Sequence, residues 1–185
     1  MTTVFIAGSL SIKKLHKLFL RRLESVVASE FNIVVGDADG ADASIQSALF
    51  DLQAKNVTVY CSGLDPRNNV GDWSVKSVRS NKEPGSRAYF TAKDLEMAKV
   101  ADYGLMMWDA KSTGTLSNVI ELLAHDRSSR VFVNKDHKFI TVSDAEGLHQ
   151  LLDVMSEGAR LKAEDKIGLS EKVANITNKQ YRMLL

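Results

Sequence analysis

Short apolar runs alternate with longer amphipathic stretches along most of this chain, and that alternation restricts the fold more than any other feature. Residues 4–7, 33–35, 57–61, 103–108, 130–133 and 139–142 read as strands. Between the first two, Ile12, Leu15, Leu18, Phe19, Leu23, Val26 and Val27 repeat at helical spacing and predict one helix over about 12–27. A second helix is expected from Ala41, with Ile45, Ala48, Leu49 and Leu52 inward. A third is expected from an N-cap at Thr91, with Asp94 as its capping partner, to about Ala101, and a fourth over 115–125. Strands alternating with helices predict an α/β fold with a mainly parallel sheet and helices on both faces. Right-handed crossovers narrow that to a doubly wound, Rossmann-like arrangement.

Two stretches depart from this rhythm. Residues 62–90 carry both prolines and several glycines and asparagines, and are expected to form a functional lid or a disordered segment. After residue 143, two helices are expected, over about 144–157 and 171–182, the first with Leu148, Leu151, Leu152 and Met155 on one face. The domain reading is therefore a Rossmann-like unit over 1–143 and a helical extension over 144–185. The extension would pack on that unit or on a second subunit, which allows a homodimer.

The bulk composition narrows the class of partner. The 185 residues hold 24 basic and 23 acidic side chains, a formal charge of +1, and this near-balance argues against a nucleic-acid partner. No apolar run approaches the roughly 20 residues of a membrane span, so no membrane partner is expected. The N-terminus lacks the basic and apolar pattern of a signal peptide. The only cysteine, Cys61, falls in a strand pattern and reads as a small buried hydrophobe. Together these features predict a cytoplasmic protein. Lys13, Lys14, Lys17, Arg21 and Arg22 on the first helix read as a solvated face.

In an open α/β sheet, ligands sit beyond the carboxyl ends of the strands. Three of the junctions there carry unusual residues. Gly8-Ser9 offers close backbone approach ahead of a helix. Gly36-Asp37-Ala38-Asp39-Gly40-Ala41-Asp42 places three acids within six residues. Asp39 suits a helix cap, while Asp37 and Asp42 suit ribose hydroxyls, a base edge or a cation. With no His or Cys nearby, a transition-metal site is not expected, and magnesium held by carboxylates and a ligand phosphate is the one cofactor these residues admit. The third junction, Trp108 to Asn118, contains Ser112, Gly114 and Thr115, whose amides, hydroxyls and helix dipole suit one anion. A further segment joins Arg87, Tyr89 and Phe90 to Lys93-Asp94. Arg87 could clamp a phosphate and Tyr89 stack on a base, or Phe90 could be core, Lys93 solvated and Asp94 a cap partner.

Taken together, Gly8-Ser9, the Gly-x-x-x-Gly-Ala-Asp turn at Gly36–Asp42 and the Trp-Asp-x-x-Ser-x-Gly-Thr loop from Trp108-Asp109 to Thr115 resemble the SLOG superfamily, specifically its small stand-alone branch. Lys93-Asp94-x-x-Met97 is similar to that branch as well. The resemblance spans about residues 4–133 and leaves the C-terminal tail outside. It implies a Rossmann-like fold that binds nucleotides or nucleotide-derived signals. Relatives in the superfamily include phosphoribohydrolases, nucleoside deoxyribosyltransferases, molybdenum-cofactor carriers, DNA-processing proteins and ADP-ribose sensors, so fold does not settle function. Where the phosphoribohydrolases carry a catalytic glutamate three residues after the glycine-threonine pair, this chain has Asn118. An amide cannot serve as a general base.

Three functions follow as expectations. The first is a sensor or carrier for a phosphate-bearing nucleotide-like ligand. Gly8, Ser9, Gly36, Gly40, Ser112, Gly114 and Thr115 would form its turns and phosphate cradle, with Asp37, Asp42 and Asn118 on ribose or base and Arg87 closing over it. The second is an N-glycosidase or glycosyltransferase, with Asp109, Asp37 and Asp94 as the carboxylates that stabilise an oxocarbenium-like transition state. The third is single-stranded nucleic-acid binding, against which the charge balance weighs.

Overall fold

The structure, a computed structural model, describes residues 1–183. Seven strands form one sheet: β1 (Thr3–Gly8), β2 (Asn32–Gly36), β3 (Val57–Ser62), β4 (Ser74–Val78), β5 (Tyr103–Trp108), β6 (Ser128–Val133) and β7 (Lys138–Val142). Their spatial order is β4-β3-β2-β1-β5-β6-β7. Every pairing is parallel except β6 with β7, which the short turn after Val133 makes antiparallel. Strand order reverses between β1 and β5, and this is the Rossmann-like arrangement that the alternating pattern predicts.

Alternation along the central strands divides the core in two. Val4 and Ile6 of β1, Leu105 and Met107 of β5, and Phe132 of β6 face α1 (Lys17–Ala28) and α2 (Ala41–Asp51). Phe5 and Ala7, Met106 and Trp108, and Val131 and Val133 face α3 (Arg87–Val100) and α4 (Thr113–Ala124). A strand covered on both faces must be apolar throughout, which is why these runs read so clearly.

The differences from expectation have local causes. Ile12 and Leu15 are buried but precede α1, whose N-cap is His16, accepting from the Leu18 amide; they seal the end of the core from a loop rather than from a helix. The segment 62–90, expected to be a lid or disordered, contains the edge strand β4, and α3 begins at Arg87 from an N-cap at Ser86 rather than at Thr91. The stretch before β4 is tied down by Gln46, which donates to the carbonyls of Gly36 and Asn68 and accepts from the Val70 amide. Asp39 does not cap α2. That position falls to Gly40 at φ +75°, where a side chain would collide with the Leu10 carbonyl.

The tail forms three helices, α5 (Ala145–Leu152), α6 (Glu157–Ile167) and α7 (Leu169–Met183); the end of the expected 144–185 extension, residues 184–185, lies outside the described residues. Leu148, Leu151, Met155, Ala159, Ala163 and Ile176 bury against the same cluster as Leu116, Val119 and Leu123 of α4. Lys179 adds a salt bridge to Asp126 at 2.7 Å. No helix among the described residues is long and apolar enough to cross a membrane.

Candidate functional site

The reversal of strand order leaves a crevice beyond the ends of β1 and β5, where such sheets bind ligands. A cleft of about 530 Å³ opens there, a volume in the range of small-molecule sites. Gly8, Asp42, Arg87, Asp94, Asp109, Ser112, Gly114, Thr115 and Asn118, all expected at a site, line it together. Ser9, Gly36, Asp37 and Gly40 are not among its lining residues. Nor is Tyr89; the aromatic that reaches the cleft is Phe90.

The turn between β5 and α4 forms one wall. Asp109 Oδ1 accepts the amides of Lys111 at 2.9 Å and Ser112 at 2.6 Å, and its Oδ2 accepts the Ser11 hydroxyl at 2.6 Å. Burial pushes this carboxyl up, but the hydrogen bonds from Ser11, from the Ser112 and Lys111 amides and from Ser9 outweigh it and hold Asp109 below the usual carboxylate range. Asp109 is thus an ionised staple of the loop as well as a cleft residue. Ser112 caps α4 by accepting from the Thr115 amide. Ser9, after β1, braces this turn at two points, approaching Thr115 Oγ1 at 3.3 Å and accepting the Asp109 amide. Arg87 donates to Thr113 Oγ1 at 3.0 Å, which brings its guanidinium to the first turn of α4. The hydroxyl-bearing start of a helix, with an arginine beside it, is a site for an anion.

The opposite wall is built on charge. Lys93 is only 3% exposed, so the reading of a solvated lysine is corrected. Its ammonium lies 3.1 Å from Asp94 and 3.7 Å from Asp37. A Cβ on Gly36 would come within 2.5 Å of both Lys93 Nζ and Asp42 Oδ2, so this glycine is the space in which that pair meets. Desolvation pulls the Lys93 pKa down, but Asp94, Asp42 and Asp37 more than offset it and keep the ammonium charged. Asp37 also grips Arg67 through Nε at 3.1 Å and Nη2 at 2.8 Å, a two-pronged pair, and Arg67 lies 4.7 Å above the Phe90 ring. Burial raises the Asp37 pKa, and the Arg67 bonds together with Lys93 outweigh it, leaving the group below its ordinary value. For Asp94, burial dominates and raises it despite Lys93.

Asp42 differs from its neighbours. Its Oδ1 is buried without a hydrogen-bond partner, and burial, reinforced by Asp94 and Asp37 against Lys93 and the Gly8 amide, pushes its carboxyl up to about 6. A buried acceptor left open at a cleft wall calls for a donor from a ligand. Among the described residues, no group of three or more His, Cys, Asp or Glu side chains is arranged to hold a metal ion. Lys93 supplies the positive charge between these carboxylates.

Sequence reasoning flagged Lys93 beside Asp94 but missed the other basic residues that join Arg87 at the cleft. Arg67, Lys93, Lys111, Lys162 and Lys166 join Arg87 there, six cations against the three carboxylates Asp42, Asp94 and Asp109. They come from the 62–73 loop, α3, the α4 turn and the tail, so no local run announces them. The spacing of Lys162 and Lys166, one turn apart on one helix face, was the only available signal.

No family model matches the chain, and neither does any curated protein sequence. Solved structures do match. DNA processing protein A from Helicobacter pylori, described for its single-stranded DNA binding mode, superposes with a TM-score of 0.56 at 18% identity, over 85% of this chain and 73% of that one. DNA processing protein A from Streptococcus pneumoniae gives 0.54 at 19% identity, over 87% of this chain but only 61% of that one. The likeness is one of fold, a Rossmann-like, mainly parallel sheet between helical layers. It also corrects one expectation. Near-neutral charge argues against a nucleic-acid partner, yet a protein of this fold is described by how it binds single-stranded DNA. Whole-chain charge averages away a cleft that is locally basic, so the exclusion does not stand.

Proposed function

We propose that the cleft binds a phosphorylated nucleoside, with its phosphate at the first turn of α4 and its ribose or base toward Asp42. The observation that carries this reading is the pairing of two features in one cleft. The capped, hydroxyl-lined start of α4 sits beside Arg87, and the buried Asp42 Oδ1 lacks a partner. One end suits an anion, and the other suits a ligand hydroxyl or amino group. Phe90, held by Arg67, offers an apolar surface for a base between them. Gly8, Thr115 and Asn118 would complete the contacts.

Calorimetric titration with nucleosides and their 5′-monophosphates tests this. Monophosphates should bind at least about tenfold more tightly than nucleosides, and Arg87→Met should remove most of that difference. Equal binding of the two series, or none, would end the reading. Release of free base from a labelled nucleotide, lost in Asp109→Asn, would instead make the protein an N-glycosidase. The ionised Asp109 in the cleft and Asp94 on the opposite wall would then be the first carboxylates to consider, with Asp37 positioning Arg67.

A second reading is single-stranded DNA, favoured by the six cations at the cleft and by the fold shared with the Helicobacter pylori protein. Anisotropy of a labelled oligothymidylate should then show affinity falling linearly with the logarithm of salt. Absence of binding at low salt would dismiss it.

A further inference from the structure

The lysines of the tail raise a question that a single phosphate does not answer. Helix α6 packs its buried Ala159 and Ala163 into the cluster that contains Leu116 and Ile120 of α4. Small side chains let the two helices approach closely, and Lys162 and Lys166 on the flank of that contact line the cleft together with Lys111 and Gly114. Lysines four residues apart on a helix repel one another. Some surface lysines elsewhere are neutralised, Lys99 by Glu96 at 2.7 Å and Lys179 by Asp126 at 2.7 Å, while Lys17 and Arg21 on α1 form no ion pair among the described residues. Among the described residues, Lys111, Lys162 and Lys166 form no ion pair with a carboxylate, although Asp165 follows Lys162 by three residues.

Three unneutralised ammoniums therefore gather beside an anion site that the α4 turn and Arg87 already complete. A phosphate monoester carries about two negative charges, and Arg87 with the helix start accommodates them. The remaining cations match a second, adjacent anionic group. We infer that Lys111, Lys162 and Lys166 form a second phosphate subsite, and that the cleft is built for a diphosphate rather than a monophosphate. This rests on the phosphate end of the reading above and not on its nucleoside end. It also makes α6 part of the site, so the tail contributes specificity as well as packing.

Inorganic pyrophosphate and orthophosphate test the subsite without any assumption about the base. Titrated at constant ionic strength, the full chain should bind pyrophosphate at least about tenfold more tightly than orthophosphate. The double substitution Lys162→Gln and Lys166→Gln should shrink that ratio to within about threefold, weakening pyrophosphate far more than orthophosphate. Both side chains are exposed, so the variant should melt as the parent does, which a circular dichroism scan checks. A ratio near one in the parent, or a ratio that survives the double substitution, overturns the subsite. Citrate binding as tightly as pyrophosphate would reduce it to unspecific charge and overturn it too. Tighter binding of a thymidine dinucleotide with two consecutive strand phosphates than of thymidine diphosphate would also overturn the diphosphate assignment and point to a strand. If pyrophosphate preference holds while every nucleotide fails to bind, the nucleoside reading falls and the anion subsite stands.

Discussion

The turns that follow β2 and β5 face each other across the cleft, and they handle charge in opposite ways. After β2, the acids Asp37 and Asp42 meet cations of the chain itself, Arg67 and Lys93, in a buried network. After β5, the amides and hydroxyls from Asp109 to Thr115 form the proposed anion site, whose nearby lysines have no carboxylate partner among the described residues. The first turn is largely closed upon itself, with one oxygen left open. The second is held rigid by its own ionised Asp109, which is taken up by loop amides and the Ser11 hydroxyl rather than by a cation. An acid-rich turn in a sequence is thus as much a sign of internal neutralisation as of a ligand, and only the positions of distant cations decide which.

The comparison predicts where substitutions hurt the fold and where they hurt binding. The largest effect is expected from Asp37→Ala, which takes one of three neighbouring carboxylates from the 4%-exposed Lys93 and frees Arg67. A loss of roughly 3 kcal/mol is expected, read as a fall in urea midpoint. A loss below about 0.5 kcal/mol would show that the β2 turn is not internally held.

Next comes pH. The native state holds the Asp42 proton up to about 6, while the carboxyl's ordinary value is 3.8, so this group's stabilising contribution is lost as pH rises between them. Asp42→Asn should remove that slope and be about 2 kcal/mol more stable than the parent at pH 7.5, the two proteins converging near pH 4. Parallel urea melts at the two pH values measure the difference. Asp37, lowered by Arg67, contributes with the opposite sign and loses its contribution on acidification. An Asp42→Asn variant that tracks the parent at both pH values would refute the strained carboxyl.

Smaller effects should come from the β5 turn. Ser112→Ala removes a cap and should destabilise by about 1 kcal/mol. Any weakening of phosphate binding beyond that, seen by calorimetry on folded protein, would separate the ligand role from the cap. The smallest is Arg67→Lys, which keeps the charge but loses the two-pronged grip and the contact with Phe90. It should cost about 0.5–1 kcal/mol and leave the α4 phosphate site intact.

The sequence carried the fold where burial is two-sided. Runs such as Val4–Ala7 and Leu105–Trp108 have apolar side chains toward both helical layers, so no alternation hides them. It did not carry β4, because Ser74–Val78 lies at the sheet edge with all but Val78 exposed and shows no inward pattern. The first helix was read too long because Ile12 and Leu15 keep helical spacing by accident of where a loop crosses the core. At the site, the glycine turns and the Ser112–Thr115 loop were legible as local chemistry. The burial of Lys93 was not, since it depends on three carboxylates, only one of them its sequence neighbour. The cleft's basic character was equally hidden, because its cations are near neighbours only after folding.

The crowding at Gly36 bears on how such a chain can change over generations. A methyl group there would strike Asp42 and Lys93 together, and Asp37 and Asp94 depend on the same ammonium. Positions 36, 37, 93 and 94 therefore cannot drift one at a time. A lineage that abandons the glycine must rebuild the whole set, whereas Lys111, Lys162 and Lys166, which form no ion pair among the described residues, are free to be exchanged as the ligand changes. Descendants should share one wall of the cleft and differ in the other.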